Sequence, residues 1–475
     1  MIPTEQSKLK VTEKQAFWFL ITICLGAFMS HFTAGIVNVS LPYLETIFQS
    51  PLNSIQWITT SYLLVITALL PIMGKLGDRY GHGLIHNLGY LFFTLSTILI
   101  AVSPNVYVLM FFRILQAIGA AMFQATNIAL LSFYYGKEQR GRALGIMSSV
   151  VAMGAMTGPI AGGLIAEWLS WQWLFLIHLP VAVAAVGLAY RFIPIQRLNY
   201  APKSIDPVGA LLFFIVIAAM IYGLSSVNTH GWLSINIILA FITGGIALAL
   251  FLLRESRQAN PFLPIQVLSI PSVSVGLITS FITFFLINTV LVVMPFYLSH
   301  MTSYTPLYVG LIITAYPLLF AVTSPVAGYL SDRFNLKLFL FIGLSCIVTG
   351  LTIFTYFLVD LSTFSLVTVL ALIGIGMGCL AAPNNSYIMR EVPLTHAGSI
   401  GGLIALTRNG GMFLGAVLGL GMLSGRTGQP PSYTDFGSIF KVSVIMGLLC
   451  FAVLGYGVFS ERQKKQNDLQ LEESS

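Results

Sequence analysis

The side chains that could carry protons in this chain are few, because most of its titratable residues lie outside its long apolar runs. His31 and Arg113 stand within such runs, whereas Glu45 and Glu167 stand at the ends of apolar runs. A histidine titrates near neutral pH, and a carboxylate that faces water can bind and release a proton. We therefore predict that proton coupling depends on His31, Arg113, Glu45 and Glu167.

Two of these residues have a second interpretation. Positions 31, 35, 38, 42 and 45 share one stripe of a helix, more polar than its surroundings, so His31 is predicted to face a central cavity. A neutral, hydrogen-bonded histidine without a transport role explains the same pattern equally well. An arginine within an apolar helix costs about 2.5–3.5 kcal/mol, so Arg113 should face a cavity or a partner, unless it extends to the cytoplasmic surface.

Uncharged polar side chains within the apolar runs are candidates for binding a substrate. A polar group surrounded by lipid needs a partner or water, so these residues either line a cavity or bond one helix to another. The sequence leaves both explanations open for each of them. The predicted substrate-binding residues are Thr33, Asn38, Gln124, Asn127, His178, Asn288, Tyr316, Asn384 and Asn385.

The composition requires a lipid environment around these candidates. Of the 475 residues, 56% are hydrophobic and 8% are charged, against about 25% charged in soluble proteins. So few charges cannot cover a surface that faces water. The four cysteines all lie in apolar runs without metal-ligand spacing, and we expect no metal site and no cofactor.

Fourteen runs are long enough to cross a bilayer, each close to the roughly 20 residues that a helix needs. We predict an all-α integral membrane protein with spans near 17–41, 54–74, 87–103, 106–130, 143–166, 173–192, 207–228, 234–253, 271–297, 307–328, 338–358, 364–388, 399–422 and 438–459.

Basic residues are concentrated in alternate connections between these spans. Lys137, Arg140 and Arg142 share one such connection, whereas Arg426 and Lys441 border the opposite side. Positive charge collects in cytoplasmic loops, so both termini are predicted to lie in the cytoplasm, with the protein in the inner membrane of a bacterial cell. The same bias explains the net charge of +7, so we expect no nucleic-acid partner.

Matching motifs recur at nearly constant separation along the chain. The segment from Gly74 to Gly81 contains Asp78-Arg79, and Asp332-Arg333 follows 254 residues later. Gly154, Gly158 and Gly162 recur 257 residues later as Gly411, Gly415 and Gly419. The repetition predicts two homologous halves of six helices, with the two helices of 207–253 inserted between them.

The segment Gly74-Lys-Leu-Gly-Asp78-Arg79-Tyr-Gly81 resembles the signature between helices two and three of the major facilitator superfamily. Its partial repeat ends at Asp332 and Arg333. The resemblance implies a gating loop, whose acid lies near a helix N-terminus of the opposite half and is stabilised there by the helix dipole. An ordinary charged cytoplasmic loop is the alternative.

The fifth helix carries Gly154, Gly158, Pro159 and Gly162, and resembles the antiporter signature found in exporters of this superfamily. Two further stretches, 36–42 (IVNVSLP) and 171–180 (WQWLFLIHLP), look like patterns of the fourteen-helix drug:proton antiporter family. The resemblance covers essentially the whole chain and implies efflux of drugs or toxic compounds driven by the proton gradient. Small residues four apart also serve generic helix packing.

The chain departs from that family at the residue expected to carry the proton. Thr33 stands where the family usually has an aspartate, and His178 replaces an asparagine. No carboxylate lies convincingly in mid-membrane, which weakens the interpretation as a pump for cationic dyes.

These observations predict an exporter of amphipathic drugs by proton antiport and alternating access, acting as a monomer. The missing acid, together with Arg113 and Arg408, favours the alternative of an exporter or flippase for an anionic or lipid-like substrate. A membrane enzyme or a transport-dead receptor is a remote alternative, because no zincin helix, P-loop or nucleophile elbow occurs.

We expect a cytoplasmic N-terminus (1–16), an N-terminal half (17–192), a linker pair (207–253), a C-terminal half (271–459) and a disordered cytoplasmic tail (460–475).

Overall fold

The computed structural model describes residues 13–135, 137–195, 206–230, 234–258, 268–302, 304–390, 397–424 and 432–473. Over these ranges the regular structure is helical. Fourteen long helices follow one another as α1 (Glu13–Phe48), α2 (Leu52–Tyr80), α3 (His82–Ala101), α4 (Val106–Tyr134), α5 (Lys137–Trp168), α6 (Leu179–Phe192), α7 (Pro207–His230), α8 (Ile235–Glu255), α9 (Pro271–Met301), α10 (Pro306–Arg333), α11 (Leu336–Phe357), α12 (Thr363–Met389), α13 (Ala397–Ser424) and α14 (Tyr433–Glu473).

The described chain contains 12 helices that are long and apolar enough to cross a membrane. Of the other two, α5 begins with the charged segment 137–142 and α7 has a shorter apolar stretch, Pro207–Met220. Both pack into the same bundle as the other twelve. The predicted all-α integral membrane fold is therefore confirmed.

The two sets of six helices repeat each other's packing. In the first set α1 packs on α5 and α3 on α4; in the second, α9 packs on α13 and α11 on α12. A Cβ at Gly158 would lie 2.8 Å from the Phe32 carbonyl oxygen, and a Cβ at Gly415 would lie 2.4 Å from that of Phe285. Backbones can approach this closely only where the side chain is a hydrogen atom. The sequence repeat thus marks equivalent helix contacts.

Most helices extend beyond the predicted spans. The predicted loop from Gly74 is helical through Tyr80, so α2 and α3 are separated by Gly81 alone, which has φ 100°. The downstream counterpart is also helical, because α10 continues to Arg333. Charged residues mark the edge of the hydrocarbon, but a helix satisfies its own backbone and can continue into water.

The prediction of a disordered tail after 460 is wrong, because α14 continues to Glu473. The segment 461–473 is rich in Glu, Lys, Gln and Leu, which are good helix formers.

The sixth predicted span is interrupted. One helical turn, Trp173–Leu176, precedes α6, and Pro180 in the first turn of α6 cannot donate a backbone hydrogen bond.

The inserted helices lie against the junction between the two halves. α7 contacts both α2 and α13, and Phe213 and Phe251 of the pair pack together with Ile72 and Leu406. Just before α7, both carboxylate oxygens of the buried Asp206 share the single Nε–H of Arg254, at 2.9 and 2.8 Å. This guanidinium holds the pKa of the Asp206 carboxyl below its usual value.

Candidate functional site

A buried arginine organises the polar interior of the first half. Arg113 on α4 is 1% exposed and donates to Thr33 Oγ1 on α1 at 3.2 Å. It also donates to Gln116, whose Nε2 in turn donates to Thr97 Oγ1 at 2.7 Å. The guanidinium lies 4.1 Å from the centroid of the Tyr62 ring on α2. Arg113 therefore faces partners inside the half and does not extend to either membrane surface.

This cation has a polar and aromatic environment in place of an acid. Thr33, at the position where an acid was expected, accepts the hydrogen bond of the guanidinium with a neutral hydroxyl. Stacking on Tyr62 and a second ring, Phe175 at 5.6 Å, supplies cation–π stabilisation. Arg113 Nε has no hydrogen-bond partner in the described part of the chain. Neutral polar groups and aromatic rings thus surround the positive charge, and no described acidic side chain pairs with it.

His178 lies at the interruption just before α6, and it is 1% exposed. Its ring packs against Phe32 and Phe93, with centroids 6.4 and 5.7 Å away. Neither ring nitrogen has a hydrogen-bond partner among the residues that the structure describes. The structure places this predicted substrate-binding residue inside the first half, among aromatic side chains.

His31 lies on α1 one turn before Gly35, which packs against Gly158 and Pro159 of α5. Its Nδ1 lies 2.9 Å from the Ala27 carbonyl oxygen and 3.1 Å from Ser30 Oγ, and the side chain is half-buried. No described contact joins His31 to Arg113.

Four of the predicted substrate-binding asparagines bond one helix to another. Asn38 accepts from Thr59 on α2 at 3.2 Å, and Asn127 lies 3.0 Å from His86 Nε2 on α3. In the second half, Asn288 donates to the Met412 carbonyl at 2.5 Å, and Asn384 donates to the Gly276 carbonyl at 2.9 Å. All four side chains are buried, and each forms an interhelical bond within one half.

The remaining predicted substrate-binding residues differ in exposure. Gln124 on α4 is half-buried, and Asn385 near the end of α12 is exposed. Tyr316 on α10 is buried, with its ring stacked on Phe320 at a centroid distance of 6.2 Å. The nine residues are distributed over both halves, and no described contact unites them in one cluster.

The two halves are joined at the end of the bundle where α1 and α5 finish, called here the far end. Glu45 Oε2 on α1 lies 3.8 Å from His300 Nε2 on α9. Glu167 Oε2 on α5 accepts from the Leu307 amide at 3.1 Å, in the first turn of α10. The residue before α10, Thr305, provides no side-chain cap, so Glu167 satisfies a free helix N-terminus from the other half.

Close backbone contact between α5 and α10 seals the far end further. A Cβ at Gly163 would lie 2.4 Å from the Pro306 carbonyl oxygen, and a Cβ at Gly310 would lie 2.3 Å from that of Pro159. The antiporter motif therefore has two packed faces. Gly154, Gly158 and Gly162 face α1 within the half, and the Pro159 ring also lies against α1, at Gly35. Gly163 and the Pro159 carbonyl face α10 across the junction.

The predicted gating residues lie at the opposite end, called here the near end. Gly74 has open space around it, whereas Gly77 packs against the His82 ring. Gly81 donates its amide to the Gly77 carbonyl at 2.9 Å, and Arg79 is exposed. The side chains of Asp78, Asp332 and Arg333 lie outside the described part of the structure, so their role in gating stays a prediction.

Sequence reasoning missed a set of polar residues on α3. His86 bonds to α4, Asn87 donates to the Ala189 and Ile193 carbonyls at 3.3 Å, and Tyr90 donates to the Thr22 carbonyl at 2.5 Å. Three polar side chains within five residues of an apolar helix were the available signal. They fasten α3 to α1, α4 and α6, and all three are buried.

The chain is similar to known proteins in sequence and in fold. The Riboflavin transporter RibZ of Clostridioides difficile is 32% identical over 402 residues, which are 85% of this chain and 87% of the relative. The Multidrug resistance protein Stp of Mycobacterium tuberculosis is 29% identical, over 84% of this chain and 74% of the relative. A crystal structure of the peptide transporter POT with sulfate shares the fold at TM-score 0.67 and 16% identity, over 92% and 94% of the two chains.

The sequence also matches the family model of the Major Facilitator Superfamily over residues 23–416 and again over 276–473. The overlapping second match agrees with the internal repeat, because the second half alone resembles the family. The relatives are transporters, so the chain is a transporter and not an enzyme. This multi-pass membrane protein belongs to the Major Facilitator Superfamily.

Proposed function

We propose that the chain exports amphipathic small molecules in exchange for protons, by alternating access, as a member of the fourteen-helix drug:proton antiporter family. The observation that carries this proposal is the double packing of α5. One face of the helix is fixed to α1, and the other closes the far end against α10 through Gly163 and Gly310. A closure made of backbone contacts can separate as one unit when the halves rock.

The asymmetry of the repeat supports a special role for α5. The positions of α13 that correspond to Pro159 and Gly163, 257 residues later, are Ala416 and Leu420. Thus both halves keep the internal glycine stripe, but Pro159 and Gly163 have no equivalent at the matching positions of α13. A relative that is a Multidrug resistance protein supports efflux, and a relative that is a Riboflavin transporter supports an aromatic substrate.

In this proposal the protein acts as a monomer in a bacterial inner membrane with both termini in the cytoplasm. The far end then faces outward, and Glu45 and Glu167 are the carboxylates at the junction of the two halves on that side. His31 carries the proton on α1, and Arg113, which bonds to α1 through Thr33, takes part in the coupling. The proton and the substrate bind alternately as the two ends open in turn.

Accumulation assays test this function. Expression in a bacterium without its own efflux pumps should lower the accumulation of several amphipathic drugs, and a protonophore should abolish the difference. Purified protein in liposomes should couple movement of the same drugs to proton flux, and His31→Ala should reduce that coupling by roughly tenfold. Unchanged accumulation across a chemically diverse panel would show that multidrug efflux is wrong.

The Glu167 contact yields a prediction about the resting equilibrium. Removing a side-chain acceptor from a helix N-terminus costs about 0.5–2 kcal/mol, so Glu167→Ala should raise the population open at the far end by about 2- to 30-fold. Distances between spin labels on Leu169→Cys and Tyr308→Cys report this population, because both positions are exposed and flank the contact. The four native cysteines would be replaced by alanine in every variant.

Asp360→Asn is the matched control, because Asp360 is an exposed carboxylate beside α11 in the second half. It should leave the distance distribution unchanged. A distribution that is the same in Glu167→Ala as in the parent would contradict the role of this contact in closure.

A further inference from the structure

The middle of the helix bundle carries positive charge that no described carboxylate balances. The described carboxylates lie near helix ends, in connections, or in the extension of α14, whereas Arg113 and Arg408 lie well inside their helices. Arg113 is held by Thr33, Gln116 and the Tyr62 ring. Arg408, by contrast, has no such hydrogen bonds and no such ring contact among the described residues.

Arg408 is a half-buried side chain on α13. Its Nε is buried without a hydrogen-bond partner, and the guanidinium forms no hydrogen bond or ion pair with any described residue. The adjacent polar side chains bond to their own helix: Thr407 donates to the Ile404 carbonyl at 3.0 Å, and Asn409 donates to the Ala405 carbonyl at 2.8 Å. The Nε–H of a permanent cation is thus buried without an acceptor from the described residues.

The part of α13 that carries Arg408 packs against helices of both halves, α2 of the first and α9 of the second. Two residues further along, an ideal Cβ at Gly410 would lie 3.7 Å from Thr67 of α2 and 3.5 Å from the Phe281 ring of α9. Arg408 therefore lies on a helix at the junction of the two halves.

A buried guanidinium without a partner is costly, and an anion that supplies two parallel acceptors removes much of that cost. A lipophilic cation would be repelled by the same charge. We propose that Arg408 binds the anionic group of an amphipathic substrate at the junction of the two halves. This assignment rests on the proposed transport function and adds to it the sign of the substrate's charge.

Equilibrium binding to the full-length protein in lipid nanodiscs tests the assignment without any gradient, so its outcome is independent of proton coupling and of export. The probes are three xanthene dyes that share one ring system: fluorescein (anionic), fluorescein methyl ester (one negative charge fewer) and rhodamine 6G (cationic). Wild type should bind fluorescein most tightly. Arg408→Gln should weaken fluorescein binding by about tenfold or more, with a smaller loss for the ester and none for rhodamine 6G.

Arg408→Lys should retain part of the fluorescein affinity, because it keeps the charge but loses the fork of donors. Arg191→Gln removes an exposed arginine of α6 and should change nothing. Competition by a short-chain phosphatidylglycerol below its micellar concentration would identify a lipid headgroup as the anion, and its absence would identify a free solute.

The proposal is overturned if wild type prefers rhodamine 6G, or if Arg408→Gln weakens all three dyes equally. The wild-type ranking alone decides the sign of the charge, so the test does not depend on the folding of the variant.

Discussion

Replacing Gly163 by valine should hold the far end open and reduce transport by about tenfold to a hundredfold. A Cβ at this position would lie 2.4 Å from the Pro306 carbonyl oxygen and 3.0 Å from the Leu307 Cα. Both atoms belong to backbone that cannot rotate aside. Overpacking therefore destabilises the closed state by about 1–3 kcal/mol relative to the open state.

Label distances between positions 169 and 308, in the background without native cysteines, measure this shift. Gly187→Val is the matched control, because a Cβ at Gly187 meets nothing within 4 Å. It should leave both distance and transport unchanged. A Gly163→Val protein that closes normally and transports at the parent rate would show that the α5–α10 contact is not a gate.

Gly158→Val separates gating from folding. Its Cβ would lie 2.8 Å from the Phe32 carbonyl oxygen, inside the first half, so the damage is present in every conformation. This variant should lose folded protein, whereas Gly163→Val should keep it.

Replacing Arg113 by methionine should reduce transport by roughly tenfold or more while leaving the melting temperature unchanged or higher. The guanidinium is 1% exposed and without an acidic partner in the described structure, so an apolar residue of similar length relieves its desolvation cost. The lost contacts connect α1, α2 and α4 through Thr33, Tyr62 and Gln116. Such a costly cation is expected where function requires it.

Transport rates in liposomes and thermal unfolding in the same detergent provide the two measurements. Arg113→Lys keeps the charge but cannot reach two acceptors in the same plane, so it should recover only part of the rate. A parallel loss of transport and stability would assign Arg113 a purely structural role.

The fold could be predicted from the sequence because its signals are repeated and large. Apolar runs of about 20 residues identify membrane helices, and motifs such as Gly158 and Gly415 occur at one offset because they make the same contact twice. The ends of the helices could not be predicted in this way. α1 has 36 residues and is about 54 Å long, well beyond the hydrocarbon, and nothing in its composition marks the last turns.

The site was harder to predict from the sequence. A polar residue in an apolar helix indicates a side chain that needs a partner, but it does not indicate which neighbouring helix or cavity that side chain faces. Asn127 and Asn384 bond to neighbouring helices, whereas His31 bonds to a carbonyl of its own helix. The Glu167 contact with the Leu307 amide joins residues 140 apart and depends on how two halves meet, which helical periodicity does not encode. The acid expected at position 33 also gave no information about the site, because Thr33 stands there and accepts a hydrogen bond from Arg113.

The inserted helices make the two junctions between the halves differ in their exposure to the surrounding lipid. α7 and α8 cover the junction of α2 with α13, where Phe213 and Phe251 pack over Ile72 and Leu406. The other junction, between α5 and α10, has no contact with α7 or α8 in the described chain. A substrate dissolved in a bilayer leaflet would therefore find the α2–α13 junction covered and the α5–α10 junction uncovered. It would reach the interior along α5, the helix that carries the antiporter motif.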